Sequence, residues 1–116
     1  MSQFTIYHNP RCSKSRQTLA LLEEHGVTPD VVLYLENPLS PQTLTALLGK
    51  LGISARDLLR KGEDDYKDNN LKDPSLGEAE LIAAMHQYPK LIERPIVESG
   101  ERAVLGRPPE NVLDLI

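Results

Sequence analysis

The chain has 116 residues and 40% of them are hydrophobic, which is enough for one compact core, so we expect a single domain over residues 1–116. Its formal net charge of −4 argues against binding nucleic acid by electrostatics, because neutralising phosphates requires a basic face. No apolar run approaches the roughly 18 residues of a membrane-spanning helix, and no secretory signal pattern stands at the beginning, so we expect no membrane partner and a cytoplasmic location.

The first third of the chain predicts a strand, a helix and a second strand. Aromatic and β-branched residues at about positions 3–7 favour a strand, and Asn9-Pro10 supplies a turn after it. Residues 13–25 carry leucines on one side and charged residues on the other at helical spacing, and Gly26 follows as a stop signal. The near-continuous apolar run at residues 31–35 is typical of a strand that is covered on both faces.

The middle of the chain predicts helices interrupted by one polar segment. Ser40-Pro41 is a typical helix start, and leucines follow it at helical spacing. Two capping boxes, residues 54–57 and residues 75–78, predict two further helix starts, and Tyr88-Pro89 predicts where the last of these helices ends. Residues 64–73 are polar, and we expect a surface segment there.

The last part of the chain predicts a hairpin and a final helix. Residues 96–98 and 103–105 are short β-prone runs separated by a Ser-Gly-Glu-Arg turn, and Pro108-Pro109 precedes a helical run that ends at Ile116. The element order is therefore βαβ, several helices, then ββα. A parallel pair and an antiparallel pair can share one sheet with helices on its faces. We predict an α/β, thioredoxin-like fold with a mixed parallel and antiparallel sheet and an inserted helical region.

Cys12 is the only cysteine, and it stands at the predicted start of the first helix, within His8-Asn9-Pro10-Arg11-Cys12-Ser13-Lys14-Ser15-Arg16. The helix dipole, unpaired N–H groups and nearby basic side chains favour the thiolate, so we predict a catalytic nucleophile beside an anion site. The alternative for a free cysteine is the role of a small buried apolar residue. Because there is no second cysteine, an internal disulfide is excluded and any redox cycle needs a sulfur atom from another molecule.

Three neighbours of Cys12 are further site candidates. His8 can favour the thiolate as an imidazolium or can shuttle a proton. Ser15 stands where a Cys-x-x-Cys pair would place its second cysteine, and its hydroxyl can hydrogen-bond a thiolate but cannot form a disulfide. Asn9 is expected to shape the loop first and to donate a hydrogen bond in the site second. Thr18 occupies the position at which the Cys-x5-Arg loop of tyrosine phosphatases requires arginine, and this excludes that class.

Further motifs are spread along the chain: residues 7–19, Tyr34-Leu35-Glu36-Asn37-Pro38, Leu58-Leu59-Arg60, Glu93-Arg94-Pro95-Ile96-Val97 and Gly106-Arg107-Pro108. In these segments, and over nearly its whole length, the chain resembles the glutaredoxin-coupled arsenate reductases, the ArsC family. The resemblance implies a thioredoxin-like fold, Cys12 as the catalytic cysteine, and three arginines around the oxyanion at Arg60, Arg94 and Arg107. Thioredoxin-like folds commonly place a cis-proline beside the active cysteine, so we also predict a cis Arg94-Pro95 bond.

The resemblance also implies a reaction. Guanidinium groups can bind tetrahedral arsenate through paired, charge-assisted hydrogen bonds and can offset the negative charge that opposes thiolate attack. The Cys12 thiolate would attack arsenic with loss of water, glutathione would supply the second sulfur as a co-substrate, and glutaredoxin would regenerate the system, with arsenite as product. We therefore expect no bound cofactor and no metal, and we expect arsenate or a related oxyanion, glutathione and glutaredoxin as partners.

One departure from the family pattern lies at the nucleophile, and two other functions remain open. The best-characterised members carry Cys-Gly-Thr-Ser, whereas this chain has Cys12-Ser13-Lys14-Ser15 preceded by Arg11, so extra positive charge can aid anion capture or alter selectivity. A glutathione-dependent thiol-disulfide reductase would need Cys12 but not all three arginines. A non-catalytic regulatory module similar to the Spx proteins, which contact RNA polymerase, typically carries a Cys-x-x-Cys switch that Ser15 removes here.

Overall fold

In the computed structural model, which describes residues 3–116, the two ends of the chain build one unit and the stretch between them builds another. The first unit consists of residues 3–37 and 94–116, and the second consists of residues 38–93. The second unit is therefore the predicted helical insert, and it follows the second strand of the first unit in sequence. Among the described residues, no helix has both the length and the apolar composition needed to cross a membrane.

The first unit contains a mixed sheet whose described strands are Phe4–Tyr7 (β1), Asp30–Val32 (β2), Ile96–Ser99 (β3) and Arg102–Leu105 (β4). These strands lie in the order β2-β1-β3-β4. Strand β1 runs parallel to β2 and antiparallel to β3, and β3 and β4 form the predicted hairpin. The helix Ser13–Glu24 (α1) connects β1 to β2. The predicted thioredoxin-like fold with a mixed sheet is confirmed.

The core of the first unit joins the sheet to α1 and to a 3₁₀ helix at the end of the chain, Pro109–Leu115. Ile6 and Val97 are opposite each other on β1 and β3, and both are fully buried together with Leu22 of α1 and Val112 of the 3₁₀ helix. Burying one such aliphatic side chain stabilises a fold by roughly 1.5–3 kcal/mol. The strand pair that carries the predicted site is therefore fixed to the helix that follows Cys12.

The second unit is helical over its described residues. It contains Pro41–Leu51 (α2), Ala55–Leu58 (α3), Asp64–Asp68 (α4), Glu78–Gln87 (α5) and a 3₁₀ helix, Pro89–Leu91. The start of α2 follows the prediction, because the Ser40 hydroxyl accepts a hydrogen bond from the Thr43 N–H at 3.1 Å. The capping box at residues 54–57 is also present. Helix α5 packs against α2 and α3.

The predicted strand at residues 31–35 is wrong in length, and the run is only partly buried rather than covered on both faces. Strand β2 ends at Val32 and lies at the edge of the sheet, where Val31 is 48% exposed. The chain then turns, because the N–H groups of Glu36 and Asn37 both donate to the Leu33 carbonyl. Of the residues after the strand, Tyr34 is buried whereas Leu35 is 37% exposed.

The surface segment expected at residues 64–73 is also wrong, because it contains α4. Tyr66 within α4 and Leu71 just after it are both buried. Helix α4 contacts the 3₁₀ helix Pro89–Leu91, so this polar stretch packs within the second unit. At the end of the chain the helical run is present as a 3₁₀ helix, and of its apolar residues Val112 is buried whereas Leu113 and Ile116 are exposed.

The start of α5 differs from its predicted capping box. The residue before α5 is Gly77, and the Glu80 carboxylate accepts the Gly77 N–H at 3.4 Å. The predicted box partner Glu78 instead accepts a hydrogen bond from the Ala55 N–H, at the start of α3, at 2.9 Å. Glu78, which the local pattern predicts to cap α5, is therefore used in a tertiary contact with α3 instead.

Candidate active site

Cys12 is held at the first turn of α1 by the loop that precedes it. Its N–H donates to the Asn9 carbonyl at 3.0 Å, and its own carbonyl accepts the Arg16 N–H at 3.0 Å as the first bond of the helix. The Asn9 side-chain carbonyl accepts the Arg11 N–H at 3.0 Å, which closes a turn of the kind that asparagine favours. The loop-shaping role expected of Asn9 is therefore present in the structure.

The surroundings of the Cys12 thiol favour the thiolate. The residue is only 8% exposed, and burial alone would raise the pKa of its thiol. Hydrogen bonds from the backbone N–H groups of Ser15 and Lys14, together with the positive charges of Arg94 and Arg107, outweigh burial and lower the pKa. The helix start and the two arginines thus act in the same direction.

The sheet explains why Arg94 and Arg107 meet Cys12. Ile96 pairs with both Tyr7 and Leu105, so His8, Arg94 and Arg107 all stand just beyond the same end of the sheet. The Arg107 Nη1 atom lies 3.9 Å from the Cys12 sulfur and donates to the Arg94 carbonyl at 3.3 Å. The predicted cis Arg94-Pro95 bond is present, and the Arg107-Pro108 bond is cis as well.

Gly106 allows the chain before Arg107 to approach α1 closely. Its N–H donates to the Pro95 carbonyl at 2.9 Å, and its carbonyl accepts a hydrogen bond from the Thr18 hydroxyl at 3.3 Å. A Cβ atom at this position would lie 2.6 Å from the Thr18 Oγ1 and 2.9 Å from the Pro95 Cγ. Only glycine fits here without displacing a neighbour, and Arg107 is the next residue.

His8 and Ser15 form a buried hydrogen-bonded pair. The Ser15 Oγ lies 2.7 Å from the His8 Nδ1 and also accepts the Asn9 N–H at 3.0 Å. Both side chains are almost inaccessible to solvent. The hydroxyl proton of Ser15 has no other acceptor among the described residues, so it is donated to Nδ1, and a neutral His8 then carries its own proton on Nε2.

This pair changes the roles that the sequence suggested for these two residues. Burial lowers the pKa of His8, and the positive charge of Arg16 lowers it further, so the structure favours a neutral ring over the imidazolium. The Ser15 hydroxyl is bonded to His8 and to Asn9, and it is the Ser15 backbone N–H that bonds the Cys12 sulfur. The hydroxyl therefore acts on the ring of His8.

Arg60 belongs to the second unit, and its contacts there are with carboxylates. Its Nη1 atom lies 3.3 Å from the Glu63 Oε2, and its Nε atom lies 3.8 Å from the Glu93 Oε1. Its backbone N–H donates to the Leu91 carbonyl at 2.8 Å. This backbone bond directly follows an isolated antiparallel bridge between Leu59 and Ile92. Across residues 3–116, no group of three or more His, Cys, Asp or Glu side chains could hold a metal ion.

Two contributors to the site were missed by reasoning from the residues. Gly106 is one, and the backbone N–H of Lys14 is the other. A glycine directly before an Arg-Pro pair is a signal for a close approach of two chain segments, but the sequence does not say which segments meet. The Lys14 contribution depends on a main-chain group that every residue type except proline possesses, so it leaves no signal in the sequence.

Comparison with known proteins places the chain among similar sequences and structures. A family model described as "ArsC family" matches residues 7–115. The chain is 59% identical over 115 residues to "Uncharacterized protein YfgD" of Escherichia coli K12, covering 98% of this chain and 97% of that protein. It is 48% identical over 112 residues to an arsenate reductase of Haemophilus influenzae, with 96% and 97% covered. The solved structure of an arsenate reductase from Vibrio cholerae matches with a TM-score of 0.95 at 50% identity, over 97% of each chain.

Proposed function

The chain belongs to the ArsC family, and from this membership and the geometry around Cys12 we propose that it is an arsenate reductase that draws on external thiols. The observation that carries the proposal is the pairing of a thiol of lowered pKa with the guanidinium groups of Arg94 and Arg107. A nucleophile and an oxyanion site are then adjacent. Arsenate meets both requirements, because it is a tetrahedral anion whose central atom accepts a sulfur ligand.

The proposed reaction begins with attack of the Cys12 thiolate on arsenic. A sulfur–arsenic bond forms, and one arsenate oxygen leaves as water after protonation. Arg94 and Arg107 neutralise the remaining oxygens and so lower the barrier to the approach of two anions. Arg60, which the family pattern adds to this pair, is the third proposed oxyanion ligand. The product of this step is a covalent adduct in which arsenic is still pentavalent.

External thiols complete the proposed reduction. Glutathione displaces a second oxygen as water, so arsenic then carries both sulfurs. The glutaredoxin thiolate then attacks the glutathione sulfur and breaks the bond between that sulfur and arsenic. The electron pair of this bond stays on arsenic, which becomes trivalent. Glutaredoxin leaves as a mixed disulfide with glutathione, and hydrolysis of the Cys12 adduct releases arsenite. The chain's single cysteine makes the external thiols necessary, and a reducing compartment such as the cytoplasm would supply them.

Arsenite formation from arsenate with glutathione and glutaredoxin tests the proposal. The wild-type chain is expected to form arsenite, Cys12→Ser is expected to form none, and Arg94→Ala is expected to lose about a hundredfold in kcat/KM, the usual cost of removing one oxyanion ligand. Arg102→Ala, which removes the same charge from the exposed hairpin, is the matched control and should retain wild-type activity.

The same set of variants separates the two enzyme functions. A thiol-disulfide reductase would reduce a mixed disulfide with Arg94→Ala as well as with the wild type, and wild-type arsenite formation would not exceed the Cys12→Ser background. That result would overturn the proposal of an arsenate reductase.

A further inference from the structure

A pocket of about 310 Å³ adjoins the loop that carries Cys12, within the first unit. One side consists of residues 8–11 and the other of Leu33, Leu35 and Glu36. Main-chain hydrogen bonds hold both sides, because the His8 N–H donates to the Val32 carbonyl at 2.9 Å and the Glu36 N–H donates to the Leu33 carbonyl at 3.0 Å. The pocket is thus preformed, and its volume is in the range of small-molecule sites, about 300–1,000 Å³.

The pocket combines two opposite charges with an apolar surface. Arg11 and Glu36 line the pocket from its two different sides, and neither side chain has an ion-pair or hydrogen-bond partner within residues 3–116. Leu35 is a large hydrophobic residue that is 37% exposed. His8 lines the pocket as well, and its Nε2 has no hydrogen-bond partner among those residues. A ligand that satisfies these groups carries both a carboxylate and an ammonium group.

We propose that this pocket binds the glutathione that supplies the second sulfur, a proposal that rests on the proposed function. Glutathione is a tripeptide with two carboxylates, one ammonium group and a thiol. Arg11 binds a carboxylate, Glu36 binds the ammonium group, and Leu33 and Leu35 contact the peptide between them. An inorganic anion would leave Glu36 without a partner and would be repelled by it, so the charge pattern favours the zwitterionic peptide.

The position of the pocket suits a co-substrate rather than the oxyanion. The groups that favour the Cys12 thiolate are Arg94, Arg107 and the helix start, and none of these lines the pocket. Arg11 and Cys12 are consecutive, so their Cα atoms are about 3.8 Å apart. A glutathione molecule bound to Arg11 is therefore within its own length of the Cys12 adduct, and it leaves the two arginines to arsenate.

Binding of S-methylglutathione, whose blocked thiol cannot react, tests the site without any turnover. Titration monitored by nuclear magnetic resonance should shift the backbone amides of Asn9, Arg11, Leu35 and Glu36. The dissociation constant should rise about tenfold in Arg11→Gln and in Glu36→Gln, as expected when a charge-assisted contact is lost. Arg102→Gln and Glu101→Gln make the same charge changes on the exposed hairpin and should bind as the wild type does. Unchanged binding in both pocket variants would overturn the proposal.

Turnover with two different thiols gives a second test. Arg11→Gln and Glu36→Gln should each raise the KM for glutathione about tenfold relative to the KM for 2-mercaptoethanol, which has no charged groups. An equal loss with both thiols would contradict the pocket as the glutathione site. If the wild-type chain binds S-methylglutathione in this pocket but forms no arsenite, the arsenate reductase proposal fails and the binding site stands.

Discussion

At the scale of single residues, the reactivity of Cys12 depends on a competition between burial and positive charge. Burial raises the pKa of the thiol, while the Ser15 and Lys14 N–H groups and the charges of Arg94 and Arg107 lower it by more. The balance is specific to this site, because a buried cysteine without such donors would have a raised pKa. Removing one charge should therefore move the pKa upward without exposing the sulfur.

The pH dependence of alkylation by iodoacetamide tests this balance. The labelling midpoint of the wild type should lie below the ordinary thiol value of about 8.5, because only the thiolate reacts. Arg107→Ala should raise the midpoint, since its Nη1 lies 3.9 Å from the sulfur. Arg102→Ala should leave it unchanged. A wild-type midpoint at the ordinary value would contradict the activated thiolate.

The Ser15 hydroxyl gives a second prediction at this scale, concerning His8. In Ser15→Ala the buried His8 Nδ1 loses its donor and the partly buried Asn9 N–H loses its acceptor, so the free energy of unfolding should fall by about 1–3 kcal/mol. The proton should no longer be confined to Nε2. Long-range ¹H–¹⁵N correlation spectra of the ring report the tautomer directly, and the exposed Ser13→Ala is the matched control. A wild-type ring already protonated on Nδ1 would refute the assignment.

The sequence predicted where these residues lie in the local structure better than which groups they contact. Cys12 at the start of a helix follows from local pattern, because the Asn9-Pro10 turn and the leucines of α1 are both visible in the chain. That the Ser15 hydroxyl meets His8 does not follow, because a hydroxyl at a helix start has several acceptors within reach. The arginines are 82 and 95 residues away from Cys12 in the sequence, 94 − 12 and 107 − 12, and only strand pairing brings them to it.

At the scale of elements, the sequence predicted correctly those helix starts and strands whose structure depends on one short segment. The Ser40 cap, the Ser54 capping box and the strands of the hairpin all have patterns complete within a few residues. The failures are elements that depend on distant neighbours. Glu78 bonds the start of α3 rather than capping its own helix, and α4, with Tyr66 and Leu71 buried, contacts the 3₁₀ helix Pro89–Leu91. The position of β2 at the edge of the sheet is a property of topology.

The contact of Gly106, the residue after β4, with Thr18 of α1 is an element-scale feature that one substitution can test. Gly106→Ala would place a Cβ 2.6 Å from the Thr18 Oγ1 and 2.9 Å from the Pro95 Cγ, so the chain before Arg107 must move away from α1. We expect a loss of about 1–3 kcal/mol in the free energy of unfolding and a higher pKa for Cys12.

Gly49→Ala is the matched control for that substitution. Gly49 lies within α2, and a Cβ there meets no atom within 4 Å, so alanine should stabilise the helix by about 0.5–1 kcal/mol. Thermal unfolding measures both effects, and iodoacetamide labelling measures the change at Cys12. Equal stability of the two variants would show that position 106 tolerates a side chain.

At the scale of the whole molecule, net charge and local charge have opposite signs. The chain carries a formal charge of −4, which on its own would repel an anionic substrate. Cys12, however, lies beside Arg94 and Arg107 and in the same turn as Arg11, Lys14 and Arg16. At physiological ionic strength the Debye length is about 8 Å, so the nearby cations dominate the potential at the sulfur and the distant carboxylates are screened.

Alkylation by two reagents of different charge tests which of these fields the thiolate experiences. The rate with iodoacetate divided by the rate with iodoacetamide should be higher for Cys12 than for free glutathione. The cations around Cys12 attract the anionic iodoacetate, whereas glutathione has no excess of positive charge. Raising the salt concentration from 0.01 M to 1 M shortens the Debye length from about 30 Å to about 3 Å, so the ratio for Cys12 should fall toward that of glutathione. At 0.01 M salt the Arg107→Ala variant should show a lower rate ratio than the wild type, and this ratio should fall less as the salt concentration rises. A ratio for Cys12 below that of glutathione, rising with salt, would mean that the net negative charge governs the approach of anions, and the local arginines would then not explain how arsenate reaches the thiolate.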